Sequence, residues 1–331
     1  MKREVSLMRF IPITEYNEQA MMLAQPVYDN KRRMLLAANN TIHPRYLEKL
    51  IQVGIKQLII EDAESKGITL EEMMDMPTWM DVIDNVQELM PPSRRKKAFP
   101  IRNVLTGVSR LIREVQSRPV VIPVPSRTLA EELKPYAHAV NVALLALQVG
   151  KALGYNDLML RDLAVGCLLH DIGKVTAQQE TGHPEAGFNL IRGIREFSLL
   201  SAHIAYQHHE TLDGHGYPRG ISGATFHEYA QICGVCNLYE NLISVQDAAP
   251  HDAMERIMAT SSINYNADVV KAFVRAVPSY PPGTKIRMQT GDNAIVTKIT
   301  DHMQRPVVRY LTTGQEVSLA DNPTLMIAGC C

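Results

Sequence analysis

The stretch LMLRDLAVGCLLHDIGK, residues 158–174, decides how the middle of this chain folds. It is a long amphipathic run, which predicts a helix with one face in a core. The run ends in His170 and Asp171, an imidazole followed directly by a carboxylate. Because a buried carboxylate without a positive partner is costly, this junction is a candidate metal site. Mixed nitrogen and oxygen ligands suit Fe, Mn or Zn better than Ca or Mg.

Helical patterns of the same kind fill most of the chain between about residues 120 and 278. One of them, LLSAHIAYQHH at 199–209, has apolar positions that predict packing inside a bundle and ends in His208 and His209. Adjacent residues on a helix point about 100° apart. The two imidazoles can therefore bind two different metals. Alternatively, one imidazole binds a metal while the other contacts a residue that supports a metal ligand. We expect a mainly α fold.

The helical region is rich in histidine, and the histidines indicate a metal site as a group more strongly than any of them does alone. Taken singly, each histidine fits a packed or surface position better than a metal site. His203 is expected to pack within its helix and His215 to face solvent. Asp213 suits either a histidine-orienting role or a turn cap. The histidines that we consider together are His138, His170, His183, His203, His208 and His209.

The two ends of the chain have different patterns from the middle. The N-terminal part combines short strands with the helix PRYLEKLIQVG, which begins at Pro44 and stops at Gly54. After PSYPPG the apolar period changes to two, and TKIRMQ, NAIVTKI, PVVRYL and QEVSLA are predicted strands. The predicted divisions are a small α+β regulatory or docking domain at 1–62, a linker and connecting helix at 63–118, a helical domain at 119–278 and a small β appendage at 279–331.

Composition excludes several classes of protein. The net charge of −1 over 331 residues provides no general attraction for nucleic acid or for an anionic membrane. No secretory signal or membrane-spanning run is recognisable, so we expect a cytoplasmic protein. The five cysteines form no evenly spaced framework, and Cys233 and Cys236 are expected in the core as thiols. The basic run at 94–97 is assigned no function.

Three motifs follow one another in the helical region: HDIGK at 170–174, HPEAG at 183–187 and HHETLDGHGYP at 208–218. Together they resemble the HD-GYP family, a branch of the HD-domain metal-dependent phosphohydrolases, over roughly residues 120–278. The N-terminal segment and YPPGTKIRM are also similar to modules that accompany HD-GYP domains. An HD dipeptide alone carries little information, whereas three ordered motifs are specific.

The resemblance implies a phosphodiesterase that hydrolyses cyclic di-GMP, or a related cyclic dinucleotide, in bacterial second-messenger signalling. The product would be the linear dinucleotide or GMP. The implied cofactors are two divalent transition metals, Fe or Mn with Zn as a further candidate; a cation pair can activate water and neutralise phosphate oxygens. The implied catalytic residues are Lys174 and Asp171. The implied substrate-binding residues are Lys174, Gly216, Tyr217 and Pro218. The implied metal ligands are His138, His170, Asp171, His183, His208, His209 and Asn237.

The sequence departs from the family pattern at four places. Asn237, in VCNLYENL, stands where relatives carry an aspartate ligand, and a neutral amide cannot offset two dications as a carboxylate does. Neither Arg nor Lys occurs between Ile243 and Met254, where relatives carry phosphate-binding residues. VTAQQETG between HDIGK and HPEAG is short, which favours an open cleft. Lys134 replaces the glutamate of three-metal members, so at most two metals are expected.

Two interpretations of the function remain. One is an active phosphodiesterase, and the other is a catalytically degenerate signalling or binding module with a structural metal centre. A phosphomonoester hydrolase leaves the glycine-rich DGHGYP turn unexplained. The expected partners are a cyclic dinucleotide and signalling proteins that contact residues 1–62. Neither DNA binding nor membrane insertion is expected, and a homodimer is left open.

Overall fold

The computed structural model describes residues 8–69, 71–89 and 99–330. The basic run at 94–97 lies outside these described residues. Two compact units divide the chain. The first contains the described residues up to Met73, those from Pro125 to Lys134 and those from Pro278 onward; the second contains the described residues of Met74–Val124 and Pro135–Val277. The four-part division of the sequence analysis stays a prediction.

The N-terminal part of the first unit is a small α+β arrangement. A three-stranded antiparallel sheet has the order β1-β5-β2, and β3 and β4 form a separate hairpin. Pro44 starts the helix and Gly54, with φ +91°, follows its end, as the sequence predicts. The elements are β1 Arg9–Pro12, β2 Met22–Leu23, β3 Val27–Tyr28, β4 Met34–Leu36, α1 Pro44–Gln52 and β5 Gln57–Glu61.

The C-terminal residues of the same unit form a five-stranded antiparallel sheet with the order β10-β6-β7-β8-β9. The alternating sequence pattern predicts four of these strands, and β10, which pairs with β6 at the edge of the sheet, was not predicted. The strands are β6 Lys285–Met288, β7 Asn293–Lys298, β8 Val307–Tyr310, β9 Glu316–Ser318 and β10 Ile327–Cys330.

Ion pairs join the two terminal segments of this unit. The buried Arg9 guanidinium lies 2.6 Å from the Asp62 carboxylate and 2.8 Å from Glu64. Lys285, from the C-terminal sheet, also contacts Glu64 at 2.8 Å. The Arg309 side chain donates to the backbone carbonyls of Glu64 and Lys66. Residues more than two hundred positions apart therefore belong to one polar network.

The second unit is helical, which confirms the expected mainly α class with small sheets formed by the chain ends. Side chains cap several helices, such as Asn156 before α5 and Ser198 before α7, each accepting a hydrogen bond from a first-turn amide. The helices are α2 Met76–Leu89, α3 Ile101–Ser117, α4 Lys134–Ala152, α5 Asp157–Leu168, α6 His183–Ile191, α7 Leu199–Gln207, α8 Glu228–Ser244, α9 Pro250–Ala259 and α10 Ala267–Ala276.

Helix α4 lies inside the core of this unit. Thirteen of its residues between Ala137 and Gly150 are buried, on every side of the helix. Small residues at many of these positions let neighbouring helices approach from several directions. The buried thiols of Cys167, Cys233 and Cys236 lie in the same core, as expected for structural cysteines. Among the described residues, no helix is both long and apolar enough to cross a membrane.

Candidate metal centre

The helix ends of the second unit bring the sequence motifs together. His170 and Asp171 lie in the turn that follows α5, and His183 is the first residue of α6. His208 and His209 directly follow the last residue of α7. Helix α7 packs against both α5 and α6, so these three helix ends meet on one side of the core. Imidazoles far apart in the sequence consequently become neighbours.

Two glycines allow the close approach. A Cβ atom at Gly173 would lie 2.0 Å from the His183 carbonyl oxygen, so HDIGK can pack against the start of α6 only with glycine. At Gly216, a Cβ atom would lie 2.4 Å from the Glu210 Cα atom. The glycines of two motifs are therefore required by backbone contacts rather than by turn flexibility.

The side chains form two overlapping groups that could hold metal ions. Within each group, one ligand atom per residue lies within 4.8 Å of the others. Asp171 belongs to both groups, so its carboxylate lies between the two. One group contains Asp171, His183, His208 and His209; the other contains His138, His170 and Asp171. Six of the seven predicted ligands thus come together.

Three of the histidines are oriented in the same way. His170 donates its Nδ1 hydrogen to the Cys167 carbonyl at 2.7 Å, and His208 donates its own to the Ala205 carbonyl at 2.9 Å. His183 contacts the Glu180 carbonyl through Nδ1. Each acceptor is the carbonyl three residues earlier. Because a carbonyl only accepts, each Nδ1 carries a proton and each Nε2 keeps its lone pair.

These lone pairs converge, which fits a bound cation. The Nε2 atoms of His183 and His208 lie 3.3 Å apart, and Asp171 Oδ1 lies 3.2 Å from the first of them. His170 Nε2 is buried and has no hydrogen-bond partner in the described part of the chain. Acceptors crowded in this way repel one another unless positive charge lies between them. The donor set of imidazole nitrogen and carboxylate oxygen fits a divalent transition metal.

The electrostatics of the site favour neutral imidazoles. Burial lowers the pKa of His170 to about 4 and, assisted by the charge of His183, lowers the pKa of His209 to about 3. Burial also holds the pKa of His208 well below its ordinary value. Metal binding requires the neutral ring, so these imidazoles need lose no proton at neutral pH.

Asp171 is the negative charge that the two groups share. Burial acts to raise the pKa of its carboxyl, but the neighbouring imidazoles, His170 first, and Lys174 hold this pKa well below the usual value. Lys174 Nζ lies 2.7 Å from Asp171 Oδ2, and its side chain is 46% exposed. The Lys174 ammonium therefore contacts both the Asp171 carboxylate and solvent.

The DGHGYP turn packs directly on the histidines. The Tyr217 ring stacks on His209 with centroids 4.4 Å apart, and the Tyr217 amide donates to the His209 carbonyl. Pro218 is exposed. Asp213 accepts hydrogen bonds from Thr211 and the His215 amide, so it caps the turn and does not orient a buried histidine.

Two buried glutamates support the site, and neither is among the functional residues that the sequence predicts. Glu210, fully buried, accepts from the amides of Arg219 and Ile221 at 2.9 and 3.2 Å and so fixes the turn. Glu240 contacts Nδ1 of His138. The sequence signal for Glu210 is its place directly after the two histidines of HHE. The sequence signal for Glu240 is its position three residues after Asn237, which places both side chains on the same face of α8.

The remaining predicted residues have ordinary surroundings. The buried Asn237 side chain accepts a hydrogen bond from the Asn241 amide through Oδ1, at 2.9 Å. The His203 ring lies 5.1 Å from the Phe188 ring in a tilted arrangement, and burial lowers the pKa of His203. The His215 side chain is 86% exposed. Whether Asn237 binds metal stays a prediction, as do the roles of the other site residues.

Comparison with known proteins places this region in a family. The HD domain matches residues 136–242. A cyclic di-GMP phosphodiesterase of Pseudomonas aeruginosa is 30% identical over 180 residues, which cover 49% of this chain and 44% of that protein. A cyclic di-GMP phosphodiesterase of Thermotoga maritima is 24% identical over 165 residues, covering 44% and 45%. The chain thus spans less than half the length of these relatives.

Two further matches are more limited. A 3'3'-cGAMP-specific phosphodiesterase of Vibrio cholerae is 27% identical over 142 residues, covering 37% of this chain and 32% of that protein. The structure of a protein described as HDG"Y"P, from Bdellovibrio bacteriovorus, aligns at 16% identity with a TM-score of 0.47, over 80% of this chain and 98% of that one. The matched HD domain, residues 136–242, contains HDIGK, HPEAG and HHETLDGHGYP in order, and these matches support placing this region in the HD-GYP branch of the HD-domain family.

Proposed function

We propose that the protein is a metal-dependent phosphodiesterase that hydrolyses cyclic di-GMP or a related cyclic dinucleotide. The observation that carries the proposal is the pair of side-chain groups that share the Asp171 carboxylate. Two cations next to each other suit a phosphodiester, whose negative charge repels an attacking water. The relatives named as cyclic di-GMP and cGAMP phosphodiesterases support the substrate class.

The proposed ligands divide between two positions. His183, His208 and His209 would hold one cation with Asp171, and His138 and His170 would hold the other with the same carboxylate. Bound cations would supply the charge that neutralises the scissile phosphate and activates water. Asp171 offsets part of that charge, and its low pKa keeps it ionised throughout the neutral range.

The chain's own residues would bind and orient the substrate around this centre. We assign Lys174 to the phosphate, because its ammonium is about half exposed and lies beside Asp171. A point charge there favours a transition state that gains negative charge. Gly216, Tyr217 and Pro218 would form the wall of the site, with Tyr217 held against His209. The raised pKa of Tyr217, about 12 because of burial, keeps its hydroxyl protonated as a hydrogen-bond donor.

The experiment is a hydrolysis assay on the full chain loaded with Mn²⁺. Cyclic di-GMP and 3'3'-cGAMP are incubated separately, and the products are separated by chromatography. We expect linear dinucleotide or GMP from the wild type and background levels from Asp171→Ala, which removes the carboxylate common to both groups. His215→Ala is the matched control, because His215 is an exposed histidine of the same turn. Wild-type product no greater than that of Asp171→Ala would refute the proposal.

A second function, the catalytically degenerate signalling or binding module, is favoured by two observations. Asn237, in place of the family aspartate, is engaged by Asn241 and adds no negative charge. The sequence between Ile243 and Met254 has no Arg or Lys for substrate phosphates. This alternative predicts that Mn²⁺ raises the thermal stability while neither dinucleotide is hydrolysed. Turnover that depends on Asp171 would exclude it.

A further inference from the structure

The contact between Glu240 and His138 differs from every other Nδ1 contact described for the centre. His170, His183 and His208 use backbone carbonyls of their own helices or turns. His138 uses a carboxylate that lies 102 positions away in the sequence. A carboxylate brings a full negative charge, so it makes the imidazole a stronger ligand than a carbonyl does.

Glu240 is itself held firmly in place. Its side chain is 4% exposed, and Ser244 Oγ donates to Oε1 at 2.5 Å. The Asn141 amide lies 3.4 Å from the same oxygen. Such a buried carboxylate is tolerated only when its oxygens have partners. These partners therefore fix the orientation of the Glu240 carboxylate toward His138, unlike that of a carboxylate on the surface.

A further layer holds Asn141. Trp79 Nε1, fully buried, donates to Asn141 Oδ1 at 2.9 Å, and the Asn141 amide donates to the Val124 carbonyl at 3.0 Å. The amide therefore cannot rotate without losing both bonds. One buried chain of polar contacts thus ends at the His138 ring. Its members are Trp79 on α2, Asn141 on α4, and Glu240 and Ser244 on α8.

The position of Glu240 on α8 adds to this geometry. Its carboxylate lies one helical turn after the neutral side chain of Asn237, and its two oxygens contact His138, Ser244 and Asn141. A carboxylate side chain therefore stands behind His138 on the same face of α8 that carries the neutral Asn237.

We propose that Glu240 is the positioning residue of the His138 position, where it provides the negative charge that Asn237 lacks. Glu240 accepts the Nδ1 hydrogen and so leaves the His138 Nε2 lone pair for the cation. The carboxylate acts from behind the imidazole instead of binding the cation directly. This inference rests on the metal centre of the proposed function and adds the residue that makes its second position usable.

The test measures metal binding and requires no turnover. The metal-free full chain is titrated with Mn²⁺ by calorimetry, in parallel with metal analysis of the dialysed protein. Glu240→Gln keeps the shape, but its amide donates to Nδ1 and moves the ring proton to Nε2. We expect one of the two Mn²⁺ ions to bind about 10–100-fold more weakly and the other to keep its affinity.

The controls separate charge from packing. Glu228→Gln removes an exposed carboxylate from the same helix and should leave both affinities unchanged. Glu240→Asp keeps the charge and should retain more of the second site than Glu240→Gln. Adding Asn237→Asp to Glu240→Gln should restore the second ion, because a carboxylate returns to the same face of α8. The melting temperature of each metal-free variant checks that it is folded.

The outcomes distinguish the two proposals. Two unchanged affinities in folded Glu240→Gln would overturn the role of Glu240 while leaving the metal centre intact. An equal weakening of both ions would also overturn it, because a general loss of packing acts on both. A wild type that binds no Mn²⁺ would overturn the metal centre and with it this inference. Selective weakening of one Mn²⁺ ion in Glu240→Gln, reversed by adding Asn237→Asp, supports the role of Glu240.

Discussion

Gly173 provides a sharp test of how the centre is assembled. Alanine there would place a Cβ atom 2.0 Å from the His183 carbonyl oxygen, whereas ordinary contact begins at 3.4 Å. The difference, 3.4 minus 2.0, requires the HDIGK turn and the start of α6 to separate by about 1.4 Å. Asp171, two residues earlier, and His183 would then no longer converge on one point.

The expected size of the effect follows from these distances. Overpacking of this kind costs about 1–3 kcal/mol of unfolding free energy. For a unit of this size, that loss lowers the melting temperature by roughly 2–4 °C per kcal/mol, or about 2–12 °C in all. A displacement above 1 Å at the reacting centre should lower turnover by about 100-fold or more. Mn²⁺ binding to the group that contains His183 should weaken in parallel.

The assay compares Gly173→Ala with Gly182→Ala. Gly182 lies in the same connection, directly before α6, and a Cβ atom there would meet nothing within 4 Å. Calorimetry supplies the melting temperature and the Mn²⁺ affinity of each folded variant. We expect Gly182→Ala to behave as the wild type. If Gly173→Ala also did so in both measurements, the claim that this close approach assembles the centre would be refuted.

Three further predictions concern the turn, the metal and the first unit. Glu210→Ala should lower the unfolding free energy by about 1–3 kcal/mol and speed hydrogen exchange at the Arg219 and Ile221 amides; unchanged exchange would contradict the role of Glu210. Mn²⁺ at 100 times its Kd should raise the unfolding free energy by about 2.7 kcal/mol per ion, an increase that EDTA abolishes; calorimetry that finds no increase would argue against the metal centre. Burial acts to raise the pKa of Asp62, but Arg9 lowers it overall, so its ionised form stabilises the fold above the unfolded pKa of about 3.9 and loses this effect as the pH falls through the lower folded value. Asp62→Asn should therefore destabilise the protein at neutral pH and match the wild type in strong acid; denaturant unfolding at both pH values checks this, and an equal difference at both would count against it.

Local patterns in the sequence predicted the helices and most strands. The helix that begins at Pro44, the run that ends at His170 and the period-two strands after Pro282 each depend on neighbours within a few residues. The family resemblance carried by the ordered motifs implied which imidazoles would meet. In each case, the information lies within one segment or in a set of ordered motifs.

Contacts between distant segments could not be predicted in the same way. Nothing in VCNLYENL indicates that Glu240 would face His138, because the pairing depends on how α4 and α8 pack. The short strand β10 lacks a clear alternation and owes its place to the edge of β6. Burial on all sides of α4 likewise depends on the elements that pack around it, because an amphipathic helical pattern of the kind found in this region predicts only one buried face.

The first unit is made from both ends of the chain, with the helical unit between them. A ribosome therefore releases all of the helical unit before β6 to β10 emerge. The hydrogen bonds that Arg309 donates to the carbonyls of Glu64 and Lys66 form only after Arg309 is synthesised, more than two hundred residues later. At synthesis rates of about 5–20 residues per second, that wait lasts on the order of 10–50 seconds. The helices thus have time to fold while Glu64 and Lys66 still lack their contacts with Lys285 and Arg309, which form only after the helical unit has been synthesised.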